Sequence, residues 1–140
     1  MTFSEFKAHS EPLFKELEIL KFQDSLSLNN CVFVYDYLQG NLPHSFVETF
    51  SRIADSHEIN TRQASIGMLY APWYNTTTFG LKCAYKKCIN SWNKLTSDIN
   101  TKEKNKCTNK LNTPDIDLLK MSRTGMKKTI TSHILSTYES

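Results

Sequence analysis

The sequence predicts an α+β fold that is mostly helical, with a helical layer packed on a small antiparallel hairpin. Segments within residues 10–52 and 115–140 place apolar side chains at the three- and four-residue spacing of amphipathic helices. Residues 79–86 instead alternate apolar and polar side chains, which is the period-two pattern of a half-buried strand. Four polar residues, 75–78, separate this strand from an earlier alternating set at 66–70, and that arrangement favours a hairpin.

The first part of the chain predicts two helices before residue 41. Pro12 suits the first turn of a helix, because proline there loses no hydrogen bond. A second helix is expected to begin after Asp24 or Ser25, either of which can cap it, and to stop at Gly40. The β-branched and aromatic run 31–35 favours a strand on propensity alone, so a strand is the alternative there.

Two further helices are expected on either side of the hairpin. Pro43 opens a third helix whose apolar face carries Phe46. After the hairpin, Cys88 and Trp92 fall on one side of a short helix. Aromatic residues at helical spacing usually pack in a core, so Trp92 is interpreted as a core residue, with a base-stacking platform as the alternative.

The length of 140 residues predicts a single domain. Residues 1–96 should hold the helices, the hairpin and the Trp-containing helix, residues 97–114 a flexible polar loop, and residues 115–140 a C-terminal amphipathic helical segment. The loop is expected because residues 97–112 are rich in lysine and amide side chains. Such a composition offers few apolar contacts to offset the entropy of ordering.

Short motifs between residues 60 and 95 follow one another in a definite order: Asn60-Thr61-Arg62, Pro72, Thr78-Phe79-Gly80, Tyr85, and Trp92-Asn93 with Leu95. Further motifs lie upstream: Pro12-Leu13-Phe14 with Leu17, Ile19-Leu20-Lys21, Leu42-Pro43, and Phe46 with Phe50. Together they resemble the region downstream of the reverse transcriptase domain in non-LTR retrotransposons of the Jockey and chicken-repeat type. The resemblance covers most of the chain outside residues 97–112. It departs at Thr96, where such sequences usually have proline.

The resemblance implies a parent RNA-directed DNA polymerase that performs target-primed reverse transcription, in which this region helps to hold template RNA or target DNA. Such a polymerase carries paired carboxylates in an aromatic-Ala-Asp-Asp turn to bind two metal ions. The sequence contains no such turn. Asp115 and Asp117 are interpreted as helix-capping residues. The chain is therefore expected to be a non-catalytic segment whose partners include the rest of the polymerase polyprotein.

Charge is distributed unevenly along the chain. Residues 1–59 hold four basic and nine acidic side chains, a net of −5, whereas residues 60–140 hold 13 and five, a net of +8. The asymmetry favours an anionic partner for the second half, with attraction between the halves as the alternative. We predict contacts with an RNA or DNA backbone by seven residues: Arg62, Lys82, Lys86, Lys120, Arg123, Lys127 and Lys128. The alternatives are solvated charges, and a stand-alone helical protein-interaction module with no nucleic-acid role.

No metal or cofactor is expected. The alternative, a zinc site formed by Cys83, Cys88, Cys107 and His133, lacks the usual pair of ligands two to four residues apart. No apolar run approaches the roughly 18 residues that a membrane span requires, so no membrane partner is expected. The residues after Met1 do not resemble a signal peptide, which predicts an intracellular protein, cytoplasmic or nuclear.

Overall fold

The computed structural model describes residues 10–46, 48–56, 59, 61–73, 76–77, 83–106 and 117–138, with side chains in the fifth helix described as far as Thr101. These residues form six α-helices: α1 (Ser10–Glu16), α2 (Phe22–Leu38), α3 (Ile53–Ser56), α4 (Arg62–Ser65), α5 (Ala84–Lys106) and α6 (Arg123–Leu135). Single turns of 3-10 helix lie at His44–Phe46 and Leu118–Lys120. The long helices α2 and α5 pack against each other, and α6 packs against both.

The core lies between α2, α5 and α6. Each helix contributes side chains at three- and four-residue spacing, and these side chains are almost fully buried: Cys31, Val34 and Tyr35 from α2, Cys88, Ile89, Trp92, Leu95 and Ile99 from α5, and Met126, Ile130 and Ile134 from α6. Trp92 is only 1% exposed, which confirms its interpretation as a core residue. This contact between three helices is what orients the faces that remain open to solvent.

Helix α2 stops where the sequence predicts it. Gly40 has φ +73°, a left-handed conformation that favours glycine. Its N–H donates to the carbonyl of Tyr37, and the N–H of Asn41 donates to the carbonyl of Asp36. This pair of hydrogen bonds is a Schellman motif, which satisfies carbonyl groups that the helix end would leave open. The helix begins earlier than predicted, at Phe22.

The predicted hairpin, and with it the α+β class, is wrong for the residues that the structure describes, since these contain no strand or sheet. Its second strand was expected to include Tyr85 and Lys86, and both lie in the first turn of α5. The helical series that continues through Cys88, Ile89 and Trp92 buries more apolar surface than a short alternating run can. Ala84 also belongs to α5, and residues 79–82, the first part of the predicted strand, lie outside the described residues.

The expected first strand is also replaced by other structure. Ile66 ends α4, and Gly67 turns the chain with φ +75°. Only Leu69 forms an isolated antiparallel bridge, with Arg52. The bridge is made by two hydrogen bonds of neighbouring residues, from the N–H of Ile53 to the carbonyl of Met68 (3.0 Å) and from the N–H of Tyr70 to the carbonyl of Ser51 (2.8 Å).

The predicted flexible loop at 97–114 and the predicted third helix also need correction. Residues 97–106 continue α5, because Ile99 and Asn100 face the core and extend its buried side. Residues 107–114 lie outside the described part of the chain. The third helix, expected from Pro43, is reduced to the single 3-10 turn at His44–Phe46. Phe46 is nevertheless half-buried, and its ring packs edge-to-face with that of Phe33, with 5.7 Å between the ring centroids.

Tyr138 fastens the chain beyond α6 to the start of α2. Its hydroxyl donates to the carboxylate of Asp24 (2.6 Å) and accepts from the backbone N–H of Lys21 (2.9 Å). The ammonium group of Lys21 lies 4.9 Å from the centroid of the Tyr138 ring, in cation–π contact, and is also paired with Glu11 of α1. These contacts join the first turn of α1, the start of α2 and the chain beyond α6.

Candidate nucleic-acid interface

Helix α6 exposes a polar face to solvent because its apolar residues are buried in the core. Met126, Ile130 and Ile134 recur every four residues and are buried. Ser122 begins the helix by accepting a hydrogen bond from the N–H of Gly125 (3.1 Å). Thr124, Lys128 and Ser132 lie at exposed positions of the same helix.

The structure divides the four basic residues that were predicted near α6 into two pairs. Arg123 donates from Nη2 to the Asp36 carboxylate of α2 at 2.9 Å, which ties α6 to α2. Lys120 lies in the separate 3-10 turn, where its Nζ is 3.8 Å from the carboxylate of Asp117. Both charges therefore have a carboxylate neighbour, and Lys120 does not lie on α6 with the other three residues.

Lys127 and Lys128, in contrast, line an open groove between α6 and the end of α1. Neither has an ion-pair partner among the residues that the structure describes. The groove has a volume of about 530 Å³, and its other lining residues come from both helices and the turn after α1: Lys15, Glu18, Thr124, Thr131, Ser132, Leu135 and Ser136. Three lysines against one glutamate give the groove a positive charge.

Lys15 is a groove residue that sequence reasoning missed. It belongs to the acidic first half of the chain, and its position in α1 shows no link to the basic residues of α6. The fold brings it to the groove because Lys21 and Tyr138 join the start of α2 to the chain beyond α6. Among sequence patterns, only the charge of Lys15 itself could have drawn attention to it.

The other predicted contact residues lie elsewhere. Arg62 is exposed at the start of α4, where it borders a cleft of about 180 Å³ with Ser97 and Asn100 of α5. The Nζ of Lys86 donates to the carbonyl of Pro72 at 2.9 Å. Positions 86 and 97 are separated by 11 residues of α5, or roughly 16 Å along its axis, so these residues do not form one cluster. Lys82 lies outside the described residues.

The cysteines of the core are not placed for metal binding or for nucleophilic chemistry. Within the described ranges, no group of three or more His, Cys, Asp or Glu side chains is arranged to hold a metal ion. Burial raises the pKa of Cys31 to about 12, with a smaller contribution from Cys88. Burial likewise raises the pKa of Cys88, with Cys83 adding to the effect. A thiol must ionise to act as a nucleophile or a ligand, so both are held in an unreactive form.

Asp117 is one of the two acidic residues that the sequence predicts to cap a helix. The carboxylate of Asp117 accepts a hydrogen bond from the N–H of Leu119 at 3.0 Å, which caps the 3-10 turn and confirms its structural interpretation. Asp115 lies outside the described residues. Across the described helices, none combines the length and the apolar character needed to cross a lipid bilayer.

Comparison with protein-family models, with curated proteins and with solved structures finds no match to this chain.

Proposed function

We propose that this chain binds the phosphate backbone of nucleic acid through the groove between α1 and α6, as the non-catalytic C-terminal region of a non-LTR retrotransposon polymerase. The observation that carries the proposal is the position of Lys15, Lys127 and Lys128 around one open groove. Lysine provides a compact charge for a point contact with phosphate. The hydroxyl groups of Thr124 and Thr131 add hydrogen-bond donors that need no particular base.

This placement agrees with the role that the motif resemblance implies. A region that helps to hold template RNA or target DNA during target-primed reverse transcription must bind many sequences, and contacts with phosphate carry no sequence information. The groove is open rather than enclosed by apolar walls, which suits an extended polyanion better than a small substrate. Binding should therefore depend on salt and not on sequence.

The test is the salt dependence of binding to a labelled single-stranded RNA. The three groove lysines should contribute about −2 to the slope of log affinity against log salt, and Lys127→Ala/Lys128→Ala should reduce the magnitude of that slope by roughly 1.4 units. Lys128→Ala alone should reduce the magnitude by about 0.7 units. Lys94→Ala is the matched control for this single variant and should leave the slope unchanged, because Lys94 is exposed on α5 and its loss changes the net charge equally. Equal affinity and equal slope in the parent and the double variant would reject the proposal.

A second candidate function, protein binding, is favoured by exposed apolar side chains in the turn after α1 and in the first half of α2. Leu17, Ile19, Phe22 and Leu26 are all substantially exposed, Phe22 at 73%. Large apolar side chains that lie this close together on a surface often mark a protein contact. By the resemblance, the partner would be the rest of the polymerase polyprotein.

The two candidates are separated by substitutions at the apolar surface. Leu17→Ser/Phe22→Ser should abolish a stoichiometric complex with the preceding polymerase domain and should leave the salt slope of RNA binding unchanged. Complex formation that persists in this variant would exclude the apolar surface as the contact.

A further inference from the structure

The chain has two tryptophans, and the structure gives them opposite environments. Trp92 is buried, whereas Trp73 is 83% exposed, and Tyr70 on the same segment is 47% exposed. A large aromatic surface in water is unfavourable, and tryptophan is enriched at binding surfaces. The aromatic residue available for stacking is therefore Trp73 rather than Trp92.

The backbone that carries Trp73 is held in place on several sides. Leu69 is bonded through both of its backbone groups to the side chain of Asn93, at 2.8 Å each. The N–H of Tyr70 donates to Ser51, and the carbonyl of Pro72 accepts from Lys86. The backbone that leads to Trp73 is thus held by hydrogen bonds, which lowers the entropy lost when a ligand stacks on the indole.

Positive charge lies next to the exposed indole. The hydrogen bond from Lys86 to Pro72 places an ammonium group one residue away from Trp73. Lys87 follows on α5 and is exposed, and the first turn of that helix contains no acidic residue. An aromatic face beside cationic groups is the combination by which proteins bind single-stranded nucleic acid, since a base stacks while its phosphate is neutralised.

We infer that Trp73 is a base-stacking platform for single-stranded nucleic acid, with Lys86 and Lys87 contacting the adjacent phosphates. The inference rests on the proposed function, and it specifies that the ligand has unpaired bases. A duplex offers no free base face along its length, whereas every unpaired base has one. Stacking is tolerant of sequence, which agrees with contacts limited to phosphate in the groove.

The test compares two labelled ligands of about 12 nucleotides, a single-stranded DNA and an abasic oligomer of equal charge. Trp73→Ala should weaken binding of the DNA about tenfold, and it should leave binding of the abasic oligomer unchanged. Trp73→Phe should retain most of the affinity, because it keeps an aromatic face. Ile59→Ala is the matched control for lost exposed apolar surface, since Ile59 is 75% exposed.

The salt slope distinguishes this inference from the proposed function. Trp73→Ala removes no charge and should keep the parental slope, whereas Lys127→Ala/Lys128→Ala should reduce it. If Trp73→Ala binds the DNA as tightly as the parent while the lysine variant loses slope, the stacking inference fails alone. If the parent binds neither oligomer, both fail.

Two further measurements exclude an indirect effect. The denaturation midpoint of Trp73→Ala should equal that of the parent, and a large shift would show that Trp73 supports the fold instead. Single-stranded DNA should quench the tryptophan emission of the parent, and this quenching should be lost in Trp73→Phe. Equal weakening for the DNA and the abasic oligomer would also overturn the inference.

Discussion

The side-chain amide of Asn93 forms hydrogen bonds with both backbone polar groups of Leu69, as a neighbouring β-strand would. Its Oδ1 accepts from the N–H of Leu69 and its Nδ2 donates to the Leu69 carbonyl, both at 2.8 Å. On the other side, Leu69 lies opposite Arg52 in the isolated bridge, and the hydrogen bonds of that bridge are made by the flanking residues. The N–H and carbonyl of Leu69 therefore point toward α5. The adjacent Trp92 fastens the same segment, because its indole N–H donates to the carbonyl of Gly67 at 2.9 Å.

Replacing Asn93 should destabilise the protein because the N–H and carbonyl of Leu69 would be left without hydrogen-bond partners. Asn93→Ala removes both hydrogen bonds to fully buried Leu69, and we expect a loss of about 2 to 4 kcal/mol in the free energy of unfolding. Asn90→Ala is the matched control on an exposed position of α5. Urea denaturation should show a change within about 0.5 kcal/mol for the control. Similar losses in the two variants would contradict the role of Asn93.

Trp92 should contribute through its volume and through its indole N–H. Trp92→Ala is expected to cost about 3 to 5 kcal/mol, because it empties a space between α2, α5 and α6. Trp92→Phe retains most of the apolar contact and should cost less. Chemical denaturation of the two variants measures the difference, and a loss below about 1 kcal/mol in Trp92→Ala would show that the core does not depend on this residue.

Thr96 offers a substitution that should increase stability. Its hydroxyl is fully buried on α5 and has no hydrogen-bond partner among the described residues. Thr96→Val keeps the shape and removes the unpaired polar group, so we expect a gain of about 1 kcal/mol in thermal or urea denaturation. Thr101→Val, an exposed position on the same helix, should change stability much less. A loss of stability in Thr96→Val would mean that the hydroxyl is paired in solution.

Tyr138→Phe removes the hydroxyl that joins the chain beyond α6 to the start of α2. The carboxylate of Asp24 and the N–H of Lys21 each lose a partner, and we expect a cost of about 1 to 3 kcal/mol. Hydrogen exchange of the first turn of α2 should accelerate, because its anchoring contact is gone. Unchanged exchange there would contradict the anchoring role.

The raised pKa of Cys31 predicts a loss of stability at alkaline pH. The thiol titrates near 9.0 when unfolded and at about 12 when folded, so the folded state retains its proton over this interval while the unfolded state releases it. The free energy of unfolding should therefore fall by up to about 1.4 kcal/mol per pH unit above pH 9, and it should be unaffected by this group below pH 9.

Cys31→Ala isolates this contribution, since lysine and tyrosine titrate in both proteins. The variant should be less stable near neutral pH and should lose stability less steeply above pH 9. Urea denaturation of both proteins between pH 8 and 10.5 measures the difference. Parallel profiles would show that the buried thiol ionises as readily as an unfolded one.

The sequence is sufficient to predict helix boundaries that depend on local signals. It predicts the wrong secondary structure where tertiary contacts determine the conformation. Gly40 marks the end of α2 because its left-handed conformation is a local requirement. The alternation at Cys83 and Tyr85 spans too few residues to compete with the helical series that begins at Tyr85. Asn100 is buried in α5 because its amide donates to the carbonyl of Thr96 within the same helix, a contact that hydropathy does not reveal.

The candidate site was predictable only in part for the same reason. Lys128 lies opposite the buried face of α6 and Lys127 at the edge of that face, so helical spacing places both at the surface. The ion pair that holds Arg123 depends on Asp36, 87 residues earlier, and Lys15 reaches the groove through the packing of α1. Trp73 has no periodic signal, and its exposure becomes apparent only once the segment around Leu69 is placed.

The contact of Tyr138 with the start of α2 also has a consequence for how the chain folds. Its hydroxyl meets groups 114 and 117 positions earlier in the chain. During synthesis, the contacts of Lys21 and Asp24 with Tyr138 therefore cannot form until almost all of the described chain has been translated. Closing so long a loop must precede the gain from these hydrogen bonds, and we expect slower folding than in a bundle whose helices pair in order along the chain.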